Sequence, residues 1–511
     1  SQPSVGGEPL GKEFGAEIYA SKSPDDVAAF NALVTTTGTK FGSGFILNAA
    51  DVLEEIDPKT ISSGTTYLTT EYSTDPLAGV LELMAKDKDL SLAYLGGNGT
   101  VDEGGNWQPD GNTAHRWEKL TTREWDAIPA VNFSKRKSPP AIESFTAALA
   151  QAASFRNPDA EHPDAKNDAR ATYAAAKGMK YFASDKWPKD KFSEAMQKNM
   201  AVVVANSPEE LAAASSGRWH EGFGTGPDLA TMGVDAKDIS TLIYRFGNNS
   251  DAMSTVSVAA GKYHGKRIEA AASAVNNGVG LEDFYSRYRQ GAETSAYLEG
   301  LSNMRFDDDI KEKKDDAAKI EAKRNQTVGT TMAVANTMIG LGVSAASAGT
   351  AGPAAYAVAS NITQPLATDF VLSLLGSPEV GDANSADNAY NRRKAQGYAV
   401  ALNHGWLTGE DSKPSAEDNE TGWYREDANG NPIVDVNSLN DEQIGEMLDW
   451  GAGGSDDEES GGSDKDEKND GADTDNKQKP LNEIDQAVSG GQTDGGQQIN
   501  NGNAAAAPRR N

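Results

Sequence analysis

The sequence predicts a mainly α-helical protein, an irregular stack of helical hairpins, and three observations carry that reading. Helix-start signals recur along the chain, apolar residues return at helical spacing after each of them, and alternating β-branched runs are scarce. Ser23 and Pro24, followed by Asp25 and Asp26, precede a stripe of Val27, Phe30 and Val34. A capping hydroxyl, a proline at the first helical position and early acids all suit the free amides of a helix N-terminus. Asp75 and Pro76 precede Leu77, Val80, Leu81 and Met84, the i, i+3, i+4, i+7 pattern of one helical face. Ser138 and Pro139 open a helix with Ile142, Phe145 and Leu149, while Ser207, Pro208 and Glu210 are read as a capping box ahead of Leu211. Val202 to Val204 is the clearest β-branched run, and it lies within a helical context. The helix starts are unequally spaced, so no fixed-period repeat array is expected.

Two glycine-rich loops interrupt this pattern. Gly96 to Asn112 is expected to be an exposed connection, and Gly217 to Asp228, with Trp219, His220 and Phe223, is expected to mark a domain boundary. A charged helix is expected from about Leu281 to Asn325, its polar side formed by Asp307, Asp308, Asp309, Lys311, Glu312, Lys313 and Lys314. From Asn325 to Thr368 no charged residue occurs. Its length would allow a membrane span, but its strong apolar residues are few and diluted by Thr330, Thr331, Asn336 and Thr337. It is read as a buried Gly/Ala-rich hairpin turning at Ser347 to Pro353, with membrane insertion as the alternative. Residues 451–511 combine Ser, Gly, Asp, Asn, Gln and Lys with very few large apolar side chains, and are expected to be a disordered acidic tail. The resulting organisation is an N-terminal linker (1–12), a helical domain (13–216), a Gly-rich linker (217–228), a second helical domain (229–376), a small helical and turn unit (377–450) and the tail (451–511).

Composition narrows the function. Asp and Glu (76) outnumber Lys and Arg (47), leaving a net charge of −29, so attraction to nucleic acid or anionic lipid is not expected. There is no cysteine, which removes disulfides, thiolate metal sites and thiol nucleophiles. The chain starts at Ser1, read as a fragment or processed product, and no signal-peptide pattern occurs in its first thirty residues. A cytoplasmic location, or export without a classical signal, is the expectation.

No catalytic, cofactor-binding or metal-ligating residue is assigned. His115, His162, His220, His264 and His404 are scattered, and none forms an H-E-x-x-H pair. Gly222, Gly224 and Gly226 lack the Gly-Lys-Ser/Thr ending of a phosphate loop, and Ser43, between Gly42 and Gly44, has the wrong spacing for a nucleophile elbow. Asp427, Asn429, Gly430, Asn431 and Asp435 resemble the start of a calcium loop. Pro432 and Ser438 then depart from it, and a turn between two short extended pieces is expected. Glu143-Ser144-Phe145 is similar to the Glu-Ser step of lytic transglycosylases, without that family's downstream motifs.

The order of features carries a family resemblance. Thr74-Asp75-Pro76-Leu77 runs into Lys88-Asp89-Leu90 and Leu92-Ala93-Tyr94-Leu95. Leu120-Thr121-Thr122-Arg123-Glu124-Trp125 follows the glycine loop, and the Ile142 helix, Phe284 to Leu298, the charged helix and the Gly/Ala segment come after it. Across about residues 10–450 this series resembles an uncharacterised actinobacterial helical family, of the tetratricopeptide-repeat-region type, found beside small WXG-type secreted proteins. The chain has no Trp-x-Gly turn, no C-terminal Tyr-x-x-x-Asp/Glu signal and no true tetratricopeptide spacing. The resemblance implies a non-catalytic interaction or scaffold protein associated with type VII (WXG/ESX-like) secretion, whose partners are proteins. The rival readings are a secreted effector or toxin carrier with a membrane-active segment near 325–368, and an enzyme with an unrecognised carboxylate site.

Overall fold

Capping side chains set where many of the helices begin. In the computed structural model the Ser23 hydroxyl accepts from Asp26 N and opens α2 (Pro24–Thr35), behind α1 (Gly7–Ser21). The structure describes residues 7–36, 40–61, 71–125, 139–156, 165–219, 227–348, 366, 385–407, 413–415, 417–427, 430–452, 474–500 and 508–510. After α3 (Ser43–Leu53) come α4 (Ala78–Met84) and α5 (Lys88–Leu95), the latter capped by Asp87. Then follow α6 (Gly111–Thr122), α7 (Ala141–Ala153), α8 (Ala165–Ala183), α9 (Glu194–Ala205) and α10 (Pro208–Ser215). Three long helices continue the chain: α11 (Ala236–Phe246) leads into α12 (Ser250–Asn276), α13 (Glu282–Glu312) and α14 (Ala317–Ala348). The last are α15 (Ser385–Asn403), α16 (Asp441–Gly451) and α17 (Thr474–Asn500).

The fold is predominantly helical, and the stripes read from sequence face inward. Val27, Phe30 and Val34, then Leu77, Val80, Leu81 and Met84, and Phe145 with Leu149 are all buried. Strand is confined, among the described residues, to two short antiparallel pairs: β1 (Gly99–Val101) with β2 (Trp107–Pro109), and β3 (Arg425–Glu426) with β4 (Pro432–Ile433). The first corrects the expectation of a merely exposed loop at 96–112. Trp107 is buried there and its indole N–H donates to Gly96 O at 2.9 Å, while Gly97 (φ +58°) lies against Thr113. The second is the expected turn, with Asp427 Oδ1 accepting from Asn431 N at 2.8 Å.

Two apolar cores are strung along the α12–α13 pair. One gathers side chains from Ile18 to Leu301 and includes Leu211 and Leu229, so it continues across the 217–228 segment. Residues 220–226 of that segment lie outside the described residues. The other joins Ile268, Phe284 and Tyr288 to Tyr398, Trp423, Trp450, Leu481 and Val488. The start of α12 and the end of α13 serve the first core, and the opposite ends serve the second.

Three expectations are revised. Helix α1 starts at Gly7, inside the span read as a linker (1–12). The charged helix ends at Glu312, and a 3₁₀ turn at Lys314–Asp316 separates it from α14. The break lets α14 fold back beside α12 and α13, burying Val328, Val334 and Ala335. Residues 325–348 of the uncharged segment belong to α14, while most of the turn expected at Ser347 to Pro353 and of the second arm of the expected hairpin lie outside the described residues. No helix among the described residues is long and apolar enough to cross a membrane. Finally, the tail expected to be disordered holds α17, whose Leu481, Ile484 and Val488 enter the second core. Residues 453–473 lie outside the described residues.

Candidate functional site

The groove between α13 and α15, which α17 fills, is the candidate interaction site. His115 is half exposed on α6, with Nε2 3.1 Å from Glu55 Oε1. His264 lies in α12 with Nε2 2.8 Å from Thr294 Oγ1, and burial, aided by Arg267, Arg393 and Arg218, pushes its pKa down to about 3. His404, which follows α15, accepts at Nδ1 from Asn276 Nδ2 at 2.8 Å and stacks on Trp406. His162 and His220 lie outside the described residues. Among the described residues no three His, Asp or Glu side chains are grouped as metal ligands would be.

The buried acids are distributed in the same way. Burial raises the pKa of Glu54 against the pull of Arg116, which donates from Nε to Glu54 Oε2 at 2.9 Å and from Nη1 to Tyr94 O at 2.8 Å. The Tyr94 hydroxyl donates to the same Glu54 oxygen at 2.7 Å, and Asp51 takes the remaining Arg116 amino group. Arg123 ties Asp75 Oδ1 (2.5 Å) to Ile56 O (2.8 Å). Arg156 reaches Thr172 Oγ1 at 2.9 Å and also holds Ser207 and Glu210. This last contact corrects the capping box expected at Ser207–Glu210. Ser207 makes no side-chain cap, and Glu210 Oε1 turns instead to Arg156 and to Leu229 N at 3.3 Å. Ser207 N already donates to Val204 O at 2.9 Å, and the buried guanidinium takes both side-chain oxygens through charge-assisted bonds. Arg116 and Arg156 thus join neighbouring helices, and Arg123 joins the segments that flank α3 and α4, a structural role in each case.

The Glu143-Ser144-Phe145 step lies in the first turn of α7, with Phe145 in the core and Glu143 O accepting from Asn199 at 3.3 Å. One cavity, of about 230 Å³, lies beside Glu54, Lys59, Lys119 and Glu124, whose ion pairs Lys59–Glu124 (2.6 Å) and Lys119–Glu55 (2.9 Å) line it. A second, of about 320 Å³, is bordered by His404, Lys413, Asp427 and Asn431. Pockets for small ligands commonly occupy about 300–1,000 Å³ and are lined mostly by apolar groups. Neither cavity brings the raised-pKa acids together.

The α13/α15 groove has the character of a recognition surface. Leu481, Ile484 and Val488 of α17 are fully buried in it, and Ile484 sits against Gly397 and Tyr288. One turn further on, Gly491 and Gly495 let the two backbones approach closely. A Cβ at Gly491 would be 2.5 Å from Arg289 O, and one at Gly495 would run into Glu293 O. The rim is ionic. Lys394 Nζ meets Asp485 Oδ2 at 2.9 Å, the Tyr398 hydroxyl donates to Asp485 Oδ1 at 3.0 Å, and Arg289 pairs with Asp494. Beneath it Glu293, its pKa raised by burial, accepts from Arg218 Nη2 at 3.2 Å. Sequence reading missed this site by assigning 451–511 to disorder. The i, i+3, i+7 spacing of Leu481, Ile484 and Val488 was the available signal.

No curated protein and no solved structure matches the chain. Residues 26–480 match DUF6571, a family of unknown function, over a span that takes in α2 to α16 and stops short of the packed face of α17. On that match, the chain belongs to the DUF6571 family.

Proposed function

We propose that the protein works by binding other proteins, as a non-catalytic scaffold or adaptor, and that its partners include small WXG-type proteins of a type VII secretion system. The observation that carries the binding reading is the α13/α15 groove, which takes an amphipathic helix through apolar anchors, close backbone contact and an ionic rim. Glu54, Asp75 and Glu210 support the non-catalytic part, since each of these buried carboxylates is engaged by an arginine in a structural clamp. Against a net charge of −29, the Arg289 and Lys394 lips of the groove are a local basic feature that favours an acid-flanked helix. The secretion context draws on the order of sequence features from Thr74 to the Gly/Ala segment. The test is affinity purification of the tagged protein from its native cell, with mass spectrometry of what accompanies it. The expected result is recovery of a small WXG-type protein or a secretion component, and recovery of neither contradicts the proposed context.

A further inference from the structure

We propose that the α13/α15 groove is a docking site for a partner's amphipathic helix carrying two small residues four apart, and that α17 is a weakly held internal occupant which such a helix displaces. The inference rests on the protein-binding reading and identifies where that binding occurs and what fits there.

Helix α17 carries four glycines between 490 and 496, and the groove requires only two of them. Gly491 and Gly495 face backbone oxygens of α13, where any side chain would clash. Gly496 has nothing within 4 Å of where a Cβ would stand, and Gly490 meets only the Arg289 guanidinium, nearest at 3.3 Å. Each glycine in a helix interior costs about 1 kcal/mol relative to alanine. Gly490 and Gly496 therefore weaken α17 without improving its fit. With Pro480 inside it and four glycines near its end, α17 has little helical propensity of its own, and the burial of Leu481, Ile484 and Val488 in the groove holds it.

The groove also specifies the chemistry of a replacement. Tyr288 and Gly397 receive a branched apolar side chain, here Ile484. Arg289 on α13 and Lys394 on α15 place positive charge on both lips, matched by Asp494 and Asp485. Those aspartates lie about two and a half turns apart, hence on opposite flanks of the helix. A fitting partner helix has Leu, Ile or Val anchors one and two turns before a small-x-x-x-small pair, with acids on both flanks. One that carries alanine where α17 has Gly490 and Gly496 competes with an advantage.

The test uses the full chain and, as probe, a fluorescent synthetic peptide of residues 478–500. In one variant Ile484→Asp and Val488→Asp loosen α17; in another Gly490→Ala and Gly496→Ala tighten it. Covalent attachment gives the resident helix a standing advantage over any free competitor. The probe is therefore expected to bind the loosened chain about ten-fold or more tighter than the unaltered chain, and the tightened chain least of all. A peptide with Gly491→Leu and Gly495→Leu is expected not to bind. If the loosened chain loses its helical circular-dichroism signal, Asp494→Lys, which repels Arg289 on the rim without entering the core, replaces it. Absence of saturable binding to the loosened chain, or equal binding of the leucine peptide, overturns the proposal. Copurification of protein partners alongside such a failure would leave the binding reading standing and remove only this site.

Discussion

The body around Phe145 and the groove under α17 are held together by opposite means. In the body, large rings interlock: Phe145 stacks on Trp125 at 5.2 Å and 9°, with Trp117 at 6.0 Å and Phe182 at 5.8 Å. Arg116, Arg123 and Arg156 clamp the surrounding helices from within. In the groove, by contrast, contact comes from missing side chains, since glycine brings α17 onto α13 with few large groups beyond Leu481, Ile484 and Val488. Ring packing and buried ion pairs are difficult to exchange for another partner, because removing one element leaves cavities and unpaired charges. Lifting α17 instead uncovers three apolar anchors and a partly exposed ionic rim that water can solvate, so the second arrangement suits a surface that must open.

Substitutions in the body test the first half of that contrast and carry the largest effects. Glu210→Ala leaves the Arg156 guanidinium buried without its carboxylate and Leu229 N without its acceptor. A loss of about 3–5 kcal/mol in urea unfolding is expected, and a loss below about 1 kcal/mol would contradict the clamp.

His264, between the two cores, gives the next effect through pH. Its folded pKa, about 3, lies below the ordinary 6.5, so the unfolded chain takes up a proton that the folded chain refuses. Its contribution is present above pH 6.5 and is lost as pH falls from there toward 3. Between pH 7 and pH 4 this removes about 3 kcal/mol. His264→Asn, compared with the unaltered chain at each pH, is expected to abolish that part of the acid sensitivity, and identical slopes would contradict it.

Much of the fold could be read from sequence because it is local. Ser23-Pro24 opens a helix through contacts within four residues, and the Phe145 stripe follows helical periodicity whatever it packs against. What escaped was decided at a distance. Ser207 and Glu210 carry a capping signature, yet Arg156, some fifty residues earlier, determines where their oxygens point. Trp107 sits in a glycine-rich stretch, yet it is buried in the first core with its indole N–H on the Gly96 carbonyl and Arg170, more than sixty residues later, over its ring. The candidate site was the least legible part. Its glycines and glutamines match the composition of a disordered tail, and only the groove on α13 gives Gly491 and Gly495 their purpose.

The two glycine pairs sharpen the other half of the contrast with smaller effects of opposite sign. Gly491→Ala forces a methyl against Arg289 O and Ala292, and is expected to loosen α17 by about 1–3 kcal/mol. Gly496→Ala, pointing into open space, is expected to tighten it by about 0.5–1 kcal/mol. Both are read from the exchange of α17 amides, and effects of the same sign would break the assignment of contact and non-contact glycines.

Amide hydrogen exchange of the unaltered chain tests the central claim most directly, because it reports the opening free energy of each helix separately. The expected pattern is slow exchange through α7, α8 and α9, limited by global unfolding, with α17 exchanging orders of magnitude faster while the body stays closed. Protection in α17 equal to that in α7 would show the groove to be as permanently filled as the core, contrary to this account.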